Sequence, residues 1–287
     1  MNPLPEVHQA TGGEGLVDAA RALGPAIEMA AEQIERDRLL PRELVEALFD
    51  AGLFTMLLPR SLGGAELDLP TFSRAVEEIS RADGSVAWCI GQANGLAAYM
   101  AYLDPAVARD LFRQQRTILA NGPGENNRPG RAVEVNGGYR VTGKWLFASG
   151  IGHATWLLAV CHLVDRAGSQ LADEGGRPAQ RLMLIPKGSA ALHDVWHVSG
   201  LRGTGSQGFS VSDLFVPSDH VIWFARERPK ILGTSAAEAE ARLRLVGDYG
   251  GSRYLLRLTP DGRWRREPPA DSQSRGAPVA ERQTMRG

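Results

Sequence analysis

The stretch GYRVTGKWLFASGIG, Gly138–Gly152, reads as one arm of a hairpin running into a glycine-lined turn. Upstream, Val133–Val135 alternates apolar and charged residues, and Asn136-Gly137 supplies a type I′ turn, since both tolerate positive φ. Tyr139 and Val141 alternate with Arg140 and Thr142, so this arm buries one face. Gly143 interrupts it and a strand restarts as KWLFASG, which puts Trp145, Phe147 and Ser149 on one face if the strand is regular. Two readings are open. Trp145 and Phe147 are ordinary sheet-core residues, or two rings, a hydroxyl and the glycines at 150 and 152 receive a flat aromatic ligand.

Working outward, the apolar positions upstream recur at helical spacing. Residues Met1 to Gly15 read as a mobile leader. Ala20, Leu23, Ile27, Ala30 and Ile34 form a stripe from Leu16 onward. Pro41 is placed to open a second helix at its first position, with Leu44, Val45, Leu48 and Phe49 on one face and Gly52 as its stop. Pro70 opens a third, carrying Phe72, Ala75, Val76 and Ile79. Gly84–Leu103 has no charged residue, but Gly91, Gln92, Asn94 and Gly95 make it a buried central helix rather than a membrane span. Asp104-Pro105 caps a short helix with Val107, Leu111 and Phe112. At Thr117 the period changes to two. Strands are expected at 117–121, 131–135, 138–142, 144–149, 155–164, 181–185, 192–197 and 209–216, with a polar loop from Arg166 to Gln180. Many short strands imply a small β-barrel or sandwich. The fold class is α+β, with a helical domain at 16–116, a β domain at 117–224 and an atypical tail at 225–287. That tail holds one weak helical stretch, Ala236 to Leu245. From Leu258 onward it has too few large aliphatics to offset ordering entropy and reads as disordered.

The 287 residues are 43% hydrophobic and 23% charged, a globular composition with chain enough for two domains. A net charge of −1 gives no electrostatic case for nucleic acid or an anionic membrane. Cys89 and Cys161 sit in apolar surroundings, as small buried residues of a reducing, cytoplasmic compartment. The six histidines and two cysteines show no metal-ligand spacing, and the N-terminus shows no basic start followed by an apolar run.

W-x-F-A-S-G at 145–150, followed by His153-Ala154 and Trp156, resembles the flavin-contacting strand of the acyl-CoA dehydrogenase superfamily, closest to its two-component flavin-dependent monooxygenases. Gly200–Pro217, GLRGTGSQGFSVSDLFVP, is similar to the family's G-x-R-G-T/S…V-x-D-V-F-V-P segment. The resemblance runs from about Leu16 to Phe224. Members continue into a C-terminal four-helix bundle, which the tail's pattern does not supply.

The resemblance implies a flavin site in the β domain. Asn121 and Gly122, from the Leu119–Asn127 loop, and Trp145, Phe147, Ala148, Ser149 and Gly150 contact the cofactor, with Ser149 bonding its ring. Asn127, His153, Arg202 and Thr204 border the substrate. Read without the resemblance, the Leu119–Asn127 cluster is a turn. Arg202 is a loop charge or a structural pair, and His153 is a satisfied supporting histidine. The glycines at 200–208 are not a dinucleotide fingerprint, because a strand follows where a helix should. The first functional expectation is acyl-thioester oxidation with hydride transfer to FAD. The alternatives are a monooxygenase taking FMN or reduced flavin as co-substrate with an aromatic substrate, and a non-catalytic remnant. The family also implies a homotetramer and either a flavin reductase or an electron acceptor as partner. No residue is assigned as catalytic base.

Overall fold

The computed structural model describes residues 12–114, 116–173, 175–223 and 230–231, and the backbone of 255–258 and 264–267. The chain divides into two compact units, 1–242 and 243–287.

The first unit begins with five helices: α1 Gly13–Asp37, α2 Arg42–Asp50, α3 Leu69–Ala82, α4 Gly84–Tyr99 and α5 Pro105–Gln114. Helix α1 starts three residues before Leu16, so Gly13–Gly15 belong to it and not to a leader. Pro41 is the residue before α2 rather than its first, with ψ at 142°. Gly52 ends the turn after α2 at φ 79°. Asp68 and Asp83 cap α3 and α4 by accepting from Thr71 N and Val86 N. Asp83 is extended and separates two helices that would otherwise fuse. Helix α4 is buried on most sides. Within it Asn94 accepts from Leu57 N and donates to the carbonyls of Leu53 and Ile90, so its polarity is fully used in pinning the loop before α3.

The sheet follows: β1 Leu119–Gly122, β2 Gly130–Val135, β3 Gly138–Ala148, β4 Trp156–Val164, β5 Gln180–Pro186, β6 Ala191–His193, β7 Gln207–Pro217 and β8 Val221–Trp223. It is one mixed sheet, ordered β6-β7-β3-β2-β4-β5-β8, with β1 parallel to the first half of β4. Strands β5 and β7, far apart in this order, come back into contact, so the sheet curls round its inner face. That face holds Val141, Trp145, Leu157, Ala159, Cys161, Met183, Ile185 and Phe209. Leu158, Leu182, Leu184 and Ile222 turn outward and share a core with Leu96, Met100 and Leu111 of the helices. Strand β4 is therefore apolar on both faces.

Three strand expectations are corrected. Residues 138–148 form one continuous strand, whose pairing with β7 shifts register between Val141 and Gly143. That glycine makes room for the Trp145 indole, which lies 2.6 Å from where its Cβ would stand. The strand after Leu192 ends at His193, because Asp194 and Trp196 turn away to partners on other elements. Strand β8 is additional to the expected set, being too short, at three residues, to show a period.

The Ala236–Leu245 stretch and residues 1–11 lie outside the described residues. In the second unit, β9 Leu255–Leu258 pairs antiparallel with β10 Trp264–Glu267. A lone two-stranded pair is marginal by itself, which suits a segment poor in core-forming residues. Among the described residues no helix is long and apolar enough to cross a membrane.

Candidate functional site

The expectation that Trp145, Phe147 and Ser149 share one face is corrected. Strand β3 carries a bulge between Trp145 and Ala148, and Phe147 takes φ 57°. An extra residue on one strand breaks the alternation and re-aims the side chains beyond it. Trp145 points inward and is fully buried, its ring stacked on Phe209 at 4.9 Å and its Nε1 donating to Val160 O. Its indole is thus core, and only its backbone meets the neighbouring loop. Phe147 points out and is 57% exposed, meeting the edge of Trp196 at 5.9 Å. Ala148 is buried and pairs with Gln207.

The three loops expected to converge do so. Leu146 N donates to Pro123 O at 3.0 Å and Gly124 bridges to Trp145, which brings the Leu119–Asn127 loop alongside β3. A side chain at Gly122 would collide with Leu146 O, so that approach requires glycine. Asn121 lies half-buried in β1, and Asn127 stands exposed at φ 58°. On the other side Gly150, at φ 74°, donates to Thr204 O at 2.8 Å.

Ser149 sits between them. Its Oγ accepts from Trp88 Nε1 at 2.9 Å and lies 2.7 Å from Ser206 Oγ. Ser206 Oγ lies 2.7 Å from Thr204 Oγ1, which donates to Leu201 O at 2.8 Å. Around this hydroxyl cluster Trp88, Phe147 and Leu201 are 44%, 57% and 46% exposed. The result is an aromatic and aliphatic shelf with one hydroxyl at its root. Trp88 carries no signal in the sequence, because its helix reads as buried all round.

Arg202 donates from Nε to Glu35 O at the end of α1, at 2.9 Å, which ties this turn to that helix. Thr204 is 1% exposed and faces the hydroxyl cluster. Arg38, at φ 55° just after α1, grips Asp194 with two bonds of 2.7 and 2.8 Å and also donates to Trp196 O. This fork holds Asp194 well below the usual carboxylate range, at about 2, and fixes the Trp196 segment beside Phe147.

His153 lies behind Gly150. Its Nε2 is sealed from solvent and has no partner. Burial first, and Lys187 second, push its pKa down to about 4, so the ring is neutral. Its other side lines an open groove of about 380 Å³ with Leu39, Val45 and Phe49 of the α2 region. Cys89 is buried, its thiol pushed up to about 12 and inert. Glu125 is paired with Lys144 at 2.6 Å, and Asp248 lies outside the described residues.

Residues 14–104 match the family model of the acyl-CoA dehydrogenase N-terminal domain. The chain belongs to the acyl-CoA dehydrogenase superfamily. Among members of that superfamily, it is 30% identical over 225 residues to the oxygenase component of the FADH2-dependent resorcinol hydroxylase of Rhizobium sp. strain MTP-10005, covering 78% of this chain and 53% of that protein. It is 33% identical over 211 residues to the flavin-dependent monooxygenase oxygenase subunit HsaA of Mycobacterium tuberculosis, covering 73% and 50%. The solved structure of XiaF from Streptomyces sp. in complex with FADH2 and glycerol superposes with a TM-score of 0.68 at 30% identity, over 75% of this chain and 53% of that one. The chain spans about half the length of the curated relatives it matches. Those relatives of the acyl-CoA dehydrogenase superfamily are monooxygenase components, whereas the sequence reading places thioester dehydrogenation first.

Proposed function

We propose that this chain forms the helical and β-sheet portion of the oxygenase component of a two-component monooxygenase, which takes reduced flavin from a separate flavin reductase and oxygenates a small aromatic substrate. The similarity to reduced-flavin oxygenases supports this reading over thioester dehydrogenation. The observation that carries it to a place on the chain is the shelf of Trp88, Phe147 and Leu201 around the Ser149 hydroxyl. Exposed rings offer faces for a flat heterocycle, and the hydroxyl offers a directional bond to a polar ring atom. A donor set of apolar faces with one fixed polar group fits an isoalloxazine ring.

Reduced flavin supplies the two electrons that activate dioxygen, which is chemistry no side chain here has. The chain's own residues bind and orient. Phe147 and Trp88 hold a ring, Ser149 fixes its direction, and Leu201 and Trp196 keep water from one side. FADH2 is the form proposed, in line with the two relatives named with it.

The test is anaerobic titration of residues 1–287 with FADH2, followed by intrinsic fluorescence, with aerobic turnover in the presence of a flavin reductase and a phenol panel. Saturable FADH2 binding, weakened about tenfold or more in Phe147→Ser through loss of a buried ring contact, is expected. Reduction of bound oxidised FAD by an acyl thioester, or no binding of FADH2, would overturn the reading.

A further inference from the structure

The hydroxyl cluster at the root of the shelf has only one way to distribute its hydrogens. A serine or threonine hydroxyl carries one hydrogen and two acceptor positions. Thr204 Oγ1 stands 2.8 Å from Leu201 O, and a carbonyl only accepts, so the threonine hydrogen is committed there. Thr204 must then accept from Ser206 at 2.7 Å, which commits the Ser206 hydrogen. Ser206 in turn must accept from Ser149 at 2.7 Å, which commits the Ser149 hydrogen inward. Trp88 Nε1–H is a donor only and fills one acceptor position of Ser149 at 2.9 Å. Ser206 and Thr204 are 2% and 1% exposed, so no water competes for these bonds, and a broken one would leave a buried polar atom unpaired. Ser149 is 8% exposed and keeps one free lone pair and no free hydrogen.

We propose, on the strength of the flavin reading above, that Ser206 and Thr204 are positioning residues that hold Ser149 as an acceptor towards the ligand, so that the site favours a ring presenting N–H over one presenting a bare nitrogen. Reduced isoalloxazine carries N–H at the central ring nitrogen, where the oxidised ring carries only a lone pair. A donor meets the Ser149 lone pair favourably, and a second lone pair meets it unfavourably. The direction of the hydrogen-bond chain is thus a selector of redox state, set by a carbonyl, that of Leu201, that no ligand need touch.

The experiment measures dissociation constants of the full chain for FADH2 and for FAD, anaerobically, in wild type, Ser206→Ala and Trp88→Phe. Wild type should prefer FADH2. In Ser206→Ala the Ser149 hydrogen loses its inward acceptor and turns to donate outward, so the preference should fall by about three- to tenfold, mainly through tighter FAD binding. Trp88→Phe alters the shelf itself but frees no hydrogen, so any loss of affinity should fall on both forms alike and the ratio should not fall. Circular dichroism checks folding, and Ser206→Gly removes the same acceptor if the alanine variant does not fold. An unchanged ratio in the Ser206 variants, or an equal fall in both affinities, would show a structural cluster only and overturn the inference while leaving the flavin reading intact. A wild-type chain that binds neither form would remove the functional reading and the inference together.

Discussion

His153 shows what burial does to one side chain. Its sealed Nε2 has no partner to share a proton, and Lys187 adds a repelling charge, so its folded pKa lies at about 4 against the usual 6.5. Arg42, Glu46 and Arg116 are the other ionisable residues lining the same groove. The unfolded chain therefore binds the proton more tightly than the folded one. Stability is complete above about pH 6.5 and declines as the pH falls towards 4, by about 3 kcal/mol in total from this residue. His153→Gln removes that titration. Urea unfolding at pH 7 and pH 4.5 should show a smaller drop for the variant than for wild type, and equal drops would refute the assignment. Nothing in the sequence distinguishes this histidine from a ligand-contacting one, since the difference lies in how Gly150 and the α2 region close over it.

Among the elements, the turn at Arg202–Thr204 is wedged against two helices. A Cβ on Gly203 would collide with the Ile34 methyl of α1 and stand 3.0 Å from Ser85 Cβ at the start of α4. Gly203→Ala should lower stability by about 1–3 kcal/mol through overpacking, visible as a fall in the thermal midpoint. An unchanged midpoint would mean that α1 yields without cost. Helices and most strands are legible because their apolar spacing is local, and the cap at Asp104, which accepts from Ala106 N, is written beside the segment it starts. The site is legible only in part. Ser149, Gly150 and the three converging loops come through the motifs. The direction of Phe147 does not, because a positive φ at a non-glycine residue is imposed by the bulge against β7 and leaves no mark in the pattern. Trp88 does not, because its partner Ser149 is 61 positions away.

Across the first unit, the change of period at Thr117 is not a gap in packing. Leu96, Met100 and Leu111 of the helices and Leu158, Leu182 and Ile222 of the sheet belong to one core. Residues that share a core lose their contacts together. Helical ellipticity and tryptophan fluorescence should therefore follow one coincident thermal transition. Two resolved transitions, helices apart from sheet, would show that 16–116 and 117–224 are independent domains after all.

The indole of Trp145 rests on Gly130 and Gly143, whose absent side chains are the space it occupies. Adding a methyl at 130 first drives it into a rigid ring. Removing the ring first leaves a void that costs about 3–5 kcal/mol. Either order of change passes through a poorly folded ancestor, so drift by single steps does not dissolve the trio. The three positions are therefore expected to change together or not at all.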